Sequence, residues 1–351
     1  MSDEIEPRDF FVVVRDGKLL AYDYIAQRQF HISLDALAVL LGGSELRQHQ
    51  AAAQVKRAGL NHAFRVPWDW DALSQIFHFG TYLRRSTESD ATYGESARRY
   101  VENCEGIMDA MPSDAFATVR GAEPIDLGED TVDDLGTLKD ALEQRVTSRR
   151  FTRQRLQFRA VATVIRNAFR YREHDGNAYK KMGMFTPTMR RTAPSGGSLQ
   201  SCECYLIADR VSDLEAGIFH YQSHNDSLAR VAKLSGNFSF ARLFGDQGFS
   251  DDVSAAIIIT CRFDKLMWKY KNSRSYRVAL LDAGHLSQVV QMVATSLDLR
   301  TWPTAAFYDE DVSTLLRLQA NNIEYPLMVI GLGSGDPNPF DRDLGDGFPS
   351  I

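Results

Sequence analysis

The sequence has few cysteines, no long apolar run and no excess of positive charge. Its 351 residues contain four cysteines, too few and too scattered for a disulfide framework. No segment approaches the roughly 20 apolar residues of a membrane-spanning helix. The acidic start, MSDEIEPRDFF, lacks the apolar core of a signal peptide, so we expect a cytoplasmic protein without membrane contact. The net charge of −6 argues against a general nucleic-acid binder.

Two familiar cofactor signatures are also missing. No G-x-G-x-x-G follows a strand and opens a helix, and GLGSG near the C-terminus ends a strand, so a Rossmann dinucleotide site is not predicted. Cys202 and Cys204 form C-x-C on one face of a predicted strand, but no further metal ligands stand at a suitable spacing. We therefore interpret Cys104, Cys202, Cys204 and Cys261 as packing residues in a reducing cytoplasm and predict no metal site.

The N-terminal block, residues 1–85, has the pattern of a winged-helix-like module. FFVVV and LLAYDYI read as strands of a hairpin joined at an Asp-Gly turn. SLDALAVLLGG has a serine N-cap, a helical period and a glycine stop, and further helices are predicted around 43–58 and 68–85. Such a module can bind DNA, dock a peptide or simply pack against its neighbour.

Residues 86–136 are polar, acidic and rich in turn residues, which predicts a linker that wraps the second domain. Residues 137–351 form that domain. It combines predicted helices with a hairpin around Asn225-Asp226, a strand at 253–260, a helix at 278–297 and a closing strand in YPLMVIGLG. Helices mixed with hairpin-rich, mainly antiparallel strands favour an α+β fold over a doubly wound sheet.

Two short polar stretches could bind a phosphate-bearing cofactor. In RVTSRRF, Arg145 and Arg149 are four residues apart and can converge, while Thr147 and Ser148 add hydroxyls, a set suited to a phosphomonoester. In RTAPSGGSLQ, the Gly196-Gly197 pair lets backbone approach a ligand closely. Taken singly, the first stretch fits a solvated basic turn better than a phosphate site, and the second fits an ordinary tight turn better than a ligand-binding loop.

A third stretch, LMWKYKNSRSYR, concentrates cations and two tyrosines between an apolar strand and an apolar helix. It is either a solvated connection or the lining of a site. The helix that follows contains Gly284, which costs about 1 kcal/mol relative to alanine, so we expect it to permit close packing. His285 beside it is interpreted as a hydrogen-bonded core residue.

These stretches occur in an order that resembles a known family. R-x-T-x-R-x-F, PSGGSL, WKY with SYR and LLDAGHLSQ, AAFYDED, and EYPLMVIGLG follow one another as in the FMN-dependent nitroreductase superfamily. More narrowly, they resemble the SagB/McbC type of peptide-maturation dehydrogenase, and the upstream WDWDALSQIFHFGT is similar to a signature that precedes its catalytic domain. The resemblance implies a central, mainly antiparallel sheet flanked by helices.

The resemblance also implies FMN and a set of residues that hold it. Arg145, Thr147 and Arg149 would bind the phosphate, and the helix containing Gly284 would pack in a homodimer because the family's FMN sites lie between subunits. The other implied cofactor contacts are Pro194, Ser195, Gly196, Gly197, Ser198, Arg277, Gln288, Ala305 and Ala306.

The Lys-Tyr pair of the family falls on Lys269 and Tyr270, which the resemblance makes catalytic. Azoline oxidation takes a proton from carbon, and crowding by like charges favours the neutral amine that could accept it. Tyr270 would donate a hydrogen bond or relay the proton. The neighbouring cations are Arg262, Lys265, Lys271, Arg274 and Arg277.

Several positions depart from the family pattern. Val146 replaces an arginine of the phosphate motif, Lys271 and Ser275 replace glycines around the Lys-Tyr pair, and Ala305-Ala306 replace the Gly-Gly that approaches the flavin edge. We still expect FMN to bind, because alanine at positions 305 and 306 is small enough to let a backbone N–H approach the flavin. The same changes mean that the resemblance does not identify the substrate.

The sequence thus predicts an FMN-dependent dehydrogenase that oxidises thiazolines or oxazolines to azoles in a ribosomally made precursor peptide. A cyclodehydratase or another maturation protein would be its partner. One alternative is an NAD(P)H-dependent reductase of nitro, quinone or dehydroamino-acid substrates. Another is a non-catalytic regulatory protein that binds peptide or DNA.

Overall fold

The computed structural model describes residues 10–25, 27–41, 51–53, 55, 72–82, 98, 102, 106–107, 119, 122–128, 132, 134–172, 190–318 and 323–335. The chain divides into two compact units. One comprises Met1–Ser89 with Asn272–Arg274, and the other comprises Asp90–Lys271 with Ser275–Ile351. The predicted division at residues 85 and 136 stays a prediction. No helix in the described ranges has the length and apolar character needed to cross a membrane.

The first unit contains a three-stranded antiparallel sheet in the order β1-β2-β3. Its elements are β1 (Phe11–Arg15), β2 (Lys18–Asp23), β3 (Arg28–Ile32), α1 (Leu34–Leu40) and α2 (Ala72–Gly80). The predicted hairpin is confirmed, with Asp16 and Gly17 both at positive φ in its turn. Ser33 caps α1 by accepting from the Ala36 N–H at 3.1 Å. The glycine stop after α1 and most of the helix expected at 43–58 lie outside the described residues, and the winged-helix interpretation stays a prediction.

The second unit is built on a seven-stranded sheet whose pairings are all antiparallel, in the order β4-β7-β6-β5-β8-β10-β9. The α+β prediction is therefore confirmed. The strands are β4 (Pro124–Asp126), β5 (Cys202–Ala208), β6 (Gly217–Gln222), β7 (Ser227–Lys233), β8 (Ala255–Arg262), β9 (Arg300–Thr304) and β10 (Glu324–Gly333). The helices are α3 (Leu138–Gln144), α4 (Phe158–Phe169), α5 (Phe263–Lys269), α6 (Ser275–Ser296) and α7 (Asp309–Leu315).

The sheet is buried on both faces, which explains the continuous apolar runs of its central strands. Alternate residues of β5 separate the two layers: Cys204 and Leu206 face α4 and α6, whereas Tyr205 and Ile207 face Phe244, Trp302 and α7. The hairpin predicted around Asn225-Asp226 joins β6 to β7, with Asp226 at positive φ.

The three described cysteines are free and buried in the layer under α4 and α6. Cys202 pairs in register with Cys261 across β5 and β8. The hydrogen bond between these two thiols, together with burial, raises the pKa of Cys202, and burial raises that of Cys204. Thiols that resist ionisation are poor nucleophiles, so the packing role is confirmed for these three. Cys104 lies outside the described residues.

The helix in the connection before α6 was not predicted. Leu266–Lys269 belong to the helix α5, which continues directly from β8, and α6 begins at Ser275, three residues earlier than expected. Lys269 is the last residue of α5 and Tyr270 is its C-cap. Part of the stretch interpreted as a connection or a site lining is thus a short helix that ends at the Lys-Tyr pair.

Candidate active site

The Pro194–Ser198 segment folds into a tight 3-10 turn in front of β5. Gly197 has φ of +60°, in the left-handed region that favours glycine. A Cβ on Gly196 would lie 2.2 Å from Val278 Cγ1, and one on Gly197 would lie 2.4 Å from Tyr270 Oη. Close approach therefore favours glycine at both positions, and backbone conformation favours it at Gly197 as well.

The turn is where Lys269 and Tyr270 meet the rest of the predicted site. Lys269 donates from Nζ to the Gly197 carbonyl oxygen at 3.1 Å, and its Nζ lies 6.0 Å from the centre of the Tyr270 ring. Both side chains are partly exposed. An amine, a phenol and a glycine turn thus converge on one accessible surface.

Asp282 holds the turn from α6, and sequence reasoning missed it. Its carboxylate accepts from Ser195 Oγ at 2.8 Å and from the Gly196 N–H at 3.2 Å. Burial raises the pKa of Asp282, although these hydrogen bonds and the charges of His285 and Arg191 oppose the shift. The available signal was an aspartate on a helix face otherwise formed by Ala279, Ala283 and Leu286.

A buried ion pair fixes α5 to the strand that follows the turn. Lys265 lies 3.2 Å from Glu203 Oε1, and its Nζ also reaches the Gln200 carbonyl oxygen at 3.5 Å. Burial raises the pKa of Glu203, but Lys265 and then His220 and Arg191 outweigh it and lower that pKa to about 2.

Three of the cations expected to crowd Lys269 have partners of their own. Lys265 pairs with Glu203, the Arg262 guanidinium binds Asp264, and Lys271 donates to the Met267 carbonyl oxygen.

Glu324 is a second buried carboxylate, close enough to Glu203 to feel its charge. It accepts a hydrogen bond from Thr260 Oγ1. Burial and the charge of Glu203 raise the pKa of Glu324. His220 Nε2 lies 3.6 Å from Glu203 Oε2, just beyond hydrogen-bond range, and the His220 ring packs 4.8 Å from the Tyr205 ring. This polar layer was not predicted, because its members are spread over β5, β6, α5 and β10.

Arg191 is another unpredicted support. It is buried, donates to the carbonyl oxygens of Phe169 and Cys202 and to Ser223 Oγ, and stacks over the Tyr171 ring at 4.8 Å. These contacts tie the start of the glycine turn to α4 and β5.

The arginine motif lies elsewhere in the unit. Arg145 is the C-cap of α3 and approaches Gln291 Oε1 at 3.5 Å, Thr147 bridges to Thr301, and Arg149 is exposed. Gln291 and the turn's anchor, Asp282, are nine residues apart on α6, roughly 14 Å along a helix axis. The phosphate motif and the glycine turn are thus distinct clusters along one helix.

The alanine pair after β9 is exposed, and its backbone is held by neighbours. The Ala306 N–H donates to Thr304 Oγ1 at 3.0 Å, so this donor is already engaged. Tyr308 donates from its backbone to the Leu243 carbonyl oxygen and from its hydroxyl to Asp246 Oδ2 at 2.6 Å. The Ala305-Ala306 segment is therefore fixed in place beside the loop around Asp246.

The remaining predicted contacts lie on α6. Arg277 is partly exposed and Gln288 is exposed. Gln288 lies six residues beyond Asp282, about 240° around the helix, so one chain does not bring it to the glycine turn. It shares an exposed face with Leu281, Gly284 and His285.

Among the described residues of one chain, Gly284 has no packing partner, and the expectation for His285 is wrong. Gly284 has no atom within 4 Å of an added Cβ, so it packs against nothing in the described part of this chain. His285 is exposed rather than a core residue. The apolar composition of α6 suggested a helix buried on all sides, but Leu280 and Leu281 are exposed beside its buried face.

The nitroreductase family model matches residues 142–334, more than half of the chain. The chain therefore belongs to the nitroreductase family, as the order of its motifs indicated. Membership of this family indicates an oxidoreductase.

Three relatives share about two fifths of the chain. The nitroreductase-like protein MJ1384 of Methanocaldococcus jannaschii is 28% identical over 143 residues, 41% of this chain and 70% of that protein. The trifolitoxin-processing protein TfxB of Rhizobium leguminosarum bv. trifolii is 29% identical over 134 residues, 37% of this chain and 36% of that protein. The microcin B17-processing protein McbC of Escherichia coli is 28% identical over 149 residues, 40% of this chain and 53% of that protein. The last two support the narrower SagB/McbC resemblance.

A solved nitroreductase-family structure from Anabaena variabilis matches the fold with a TM-score of 0.51 and 19% identity. The match covers 72% of this chain and 50% of that one. The matched stretch spans about half of the Anabaena variabilis chain and of McbC, and 36% of TfxB.

Proposed function

We propose that the protein is an FMN-dependent dehydrogenase that oxidises azoline rings to azoles in a ribosomally made peptide. The observation that carries the proposal is the convergence of Lys269 and Tyr270 on the Gly196-Gly197 turn. It is supported by a family that indicates redox chemistry and by two relatives named for processing trifolitoxin and microcin B17.

The residues present fit a flavin. The Gly196-Gly197 turn has no side chains of its own, and the space that a Cβ would take there is filled by Tyr270 and Val278. Arg145, Thr147 and Arg149 would hold the phosphate, with Pro194–Ser198, Arg277, Gln288 and Ala305-Ala306 around the rest of the cofactor. When bound, FMN supplies a hydride acceptor.

In this proposal the chain's own residues remove the proton from the substrate. Lys269, fixed by the Gly197 carbonyl, would take the proton from the azoline carbon, and Tyr270 would donate a hydrogen bond or relay that proton. Placement of both groups at the turn would lower the barrier by orienting the ring before proton transfer.

The proposal includes a homodimer, a precursor peptide and a maturation partner such as a cyclodehydratase. The exposed Leu281–Gln288 face of α6 is where a second copy would pack, and this would bring Gln288 of one copy toward the site of the other. The cytoplasmic location expected from the sequence stays a prediction.

The test begins with the visible spectrum of the purified protein and continues with an azoline-containing peptide followed by mass spectrometry. We expect flavin absorption and the loss of two hydrogens, about 2 Da, for each ring. Lys269→Ala should abolish that loss, while Lys271→Ala, two residues away and directed to the Met267 carbonyl, should retain it. A Lys269→Ala protein with full turnover would refute the assigned role.

The second candidate is an NAD(P)H-dependent reductase of nitro, quinone or dehydroamino-acid substrates, favoured by the likeness to the nitroreductase-like protein of Methanocaldococcus jannaschii. Rapid bleaching of the bound flavin by NADPH, without oxidation of the azoline peptide, would establish it in place of the first.

A further inference from the structure

We propose that Asp282 is the positioning residue of the Lys269–Tyr270 pair, because it fixes the turn on which both side chains rest. The expected effect on turnover rests on the proposed function. The contacts themselves all lie within the second unit.

Asp282 holds two successive residues of the turn with one carboxylate. Oδ2 accepts from Ser195 Oγ at 2.8 Å, and both oxygens lie 3.2 Å from the Gly196 nitrogen. Ser195 Oγ in turn accepts from the Gln200 N–H at 3.0 Å, which closes the far side of the turn. The orientation of the Ser195–Gly197 backbone is therefore set by a residue 86 positions away from Gly196.

The turn passes this orientation to the Lys-Tyr pair. The Gly197 carbonyl, one residue beyond the anchored Gly196, accepts from Lys269 Nζ at 3.1 Å. Tyr270 Oη would lie 2.4 Å from a Cβ on Gly197, so the phenol rests against the same residue. A rotation of the turn would move the lysine's acceptor and the tyrosine's support together.

Val278, one helical turn before Asp282 on α6, also contacts the turn. Its Cγ1 would collide with any side chain at Gly196, so the backbone of the turn rests directly on α6. With Val278 limiting its approach and Asp282 accepting its donors, the turn has little freedom to shift along the helix.

A carboxylate at this position is costly for the fold alone. Asp282 is 4% exposed on a face shared with Ala279 and Ala283. A buried carboxylate is expensive unless it is well hydrogen-bonded, and packing would be served by an apolar residue of similar volume. Its use as a double acceptor for the turn accounts for its presence.

The first experiment measures the reactivity of Lys269 in the full-length protein without substrate. An amine-acetylating reagent is applied briefly, and modification of each lysine is quantified by peptide mass spectrometry. Lys271 serves as an internal reference, because its Nζ donates to the Met267 carbonyl oxygen rather than to Gly197.

We expect Asp282→Asn to raise Lys269 acetylation, relative to Lys271, by about tenfold, since a hydrogen bond to a charged group commonly contributes at least that factor. The asparagine side chain is uncharged and replaces one of the two carboxylate oxygens by an NH2 group, so the turn loses a charge-assisted acceptor. Ser195→Ala should act in the same direction and provides a second route if Asp282→Asn does not fold.

The matched control is Asp226→Asn. Asp226 pairs with Arg166 and accepts from Tyr221 Oη at 2.6 Å, so this variant also loses a partly buried carboxylate, away from the turn. It should leave the Lys269 to Lys271 ratio unchanged. An unchanged ratio in both folded Asp282→Asn and Ser195→Ala, or an equal rise in Asp226→Asn, would overturn the proposal.

The second experiment reads turnover of the azoline peptide in the FMN-loaded protein. Asp282→Asn and Ser195→Ala should each lower kcat about tenfold with a smaller change in KM, and the double variant should lose no more than the worse single variant, because both act through one contact. Losses that multiply in the double variant would contradict the coupling. If no azoline is oxidised by any form, the proposed function fails, whereas the labelling result still decides whether Asp282 positions Lys269.

Discussion

Lys269 donates from Nζ to the carbonyl oxygen of Gly197 at 3.1 Å, across 72 positions of sequence. This contact joins the Lys-Tyr pair at the end of α5 to the glycine turn before β5. It makes the geometry of Gly197 decisive for the proposed active site and leads to the first prediction.

Replacement of Gly197 by alanine should lower azoline oxidation by about a hundredfold, because a misplacement near 1 Å at a reacting group has that order of effect. The new Cβ would meet Tyr270 Oη at 2.4 Å and Lys269 Nζ at 2.8 Å, at a residue with φ of +60°. Steady-state turnover measures the change. Gly136→Ala is the matched control, since Gly136 has φ of +65° and an added Cβ there has no atom within 4 Å, and it should retain activity. Equal activity of the two variants would contradict the placement of Tyr270 and Lys269.

The exposed face of α6 leads to a prediction about assembly. Leu281→Asp should convert a homodimer into a monomer, because a charge would be buried without a partner where two copies meet. Leu281 is 61% exposed in one chain, so its replacement should leave the monomer folded. Sedimentation velocity measures the mass. Leu34→Asp, at a leucine of α1 that is 74% exposed, is the control and should remain dimeric. A wild-type protein that sediments as a monomer would exclude the proposed packing.

The buried pair of Glu203 and Lys265 should behave as a unit. Lys265→Met alone leaves a buried carboxylate without its cation and should destabilise the protein by about 3–5 kcal/mol. Glu203→Leu together with Lys265→Met removes both charges and should recover much of that loss. Urea unfolding of the two single variants and the double variant gives the coupling free energy. A double variant as unstable as the sum of the single variants would show that the pair contributes no mutual stabilisation.

The same pair predicts part of the acid sensitivity. The pKa of Glu203 is lowered from 4.5 to about 2, because Lys265, His220 and Arg191 outweigh burial. A lowered carboxyl pKa contributes stability above 4.5 that is lost as the pH falls toward 2. The free energy of unfolding, measured by urea at several pH values, should lose this contribution in that interval for the wild type. The loss should be absent in the Glu203→Leu, Lys265→Met double variant.

Glu324 should show the opposite dependence on pH. Burial and the charge of Glu203 raise its pKa above 4.5, so the folded state binds this proton more tightly than the unfolded chain does. The wild type therefore loses stability from this residue as the pH rises above 4.5 through the raised pKa. Glu324→Gln, which mimics the protonated acid and still offers an oxygen to Thr260, should gain stability relative to wild type as the pH rises above 4.5. Urea unfolding across that range measures the difference, and a gain that shrinks with rising pH would contradict the assignment.

Much of the fold followed from local patterns in the sequence. The Asp16-Gly17 turn, the Ser33 cap, the hairpin at Asn225-Asp226 and the buried strand β8 were all predicted from residues adjacent in the chain. Such features form because turn conformation and capping are decided by neighbouring backbone and side-chain chemistry. The α5 helix escaped prediction because its seven residues are rich in charge and too short to show a clear period.

The sequence by itself determined the α+β class, the order of the motifs and the residue types that the family uses, since these depend on local period and on identity. Only the tertiary structure decided that Lys269 and Tyr270 rest on Gly197, that Asp282 anchors this turn, and that Lys265 is neutralised by Glu203. It also decided that Gly284 and His285 face outward rather than into the core. The physical reason is distance along the chain: these contacts join positions 62 to 87 residues apart, and their partners are selected by the packing of α5 and α6 on the sheet rather than by any pattern within one segment.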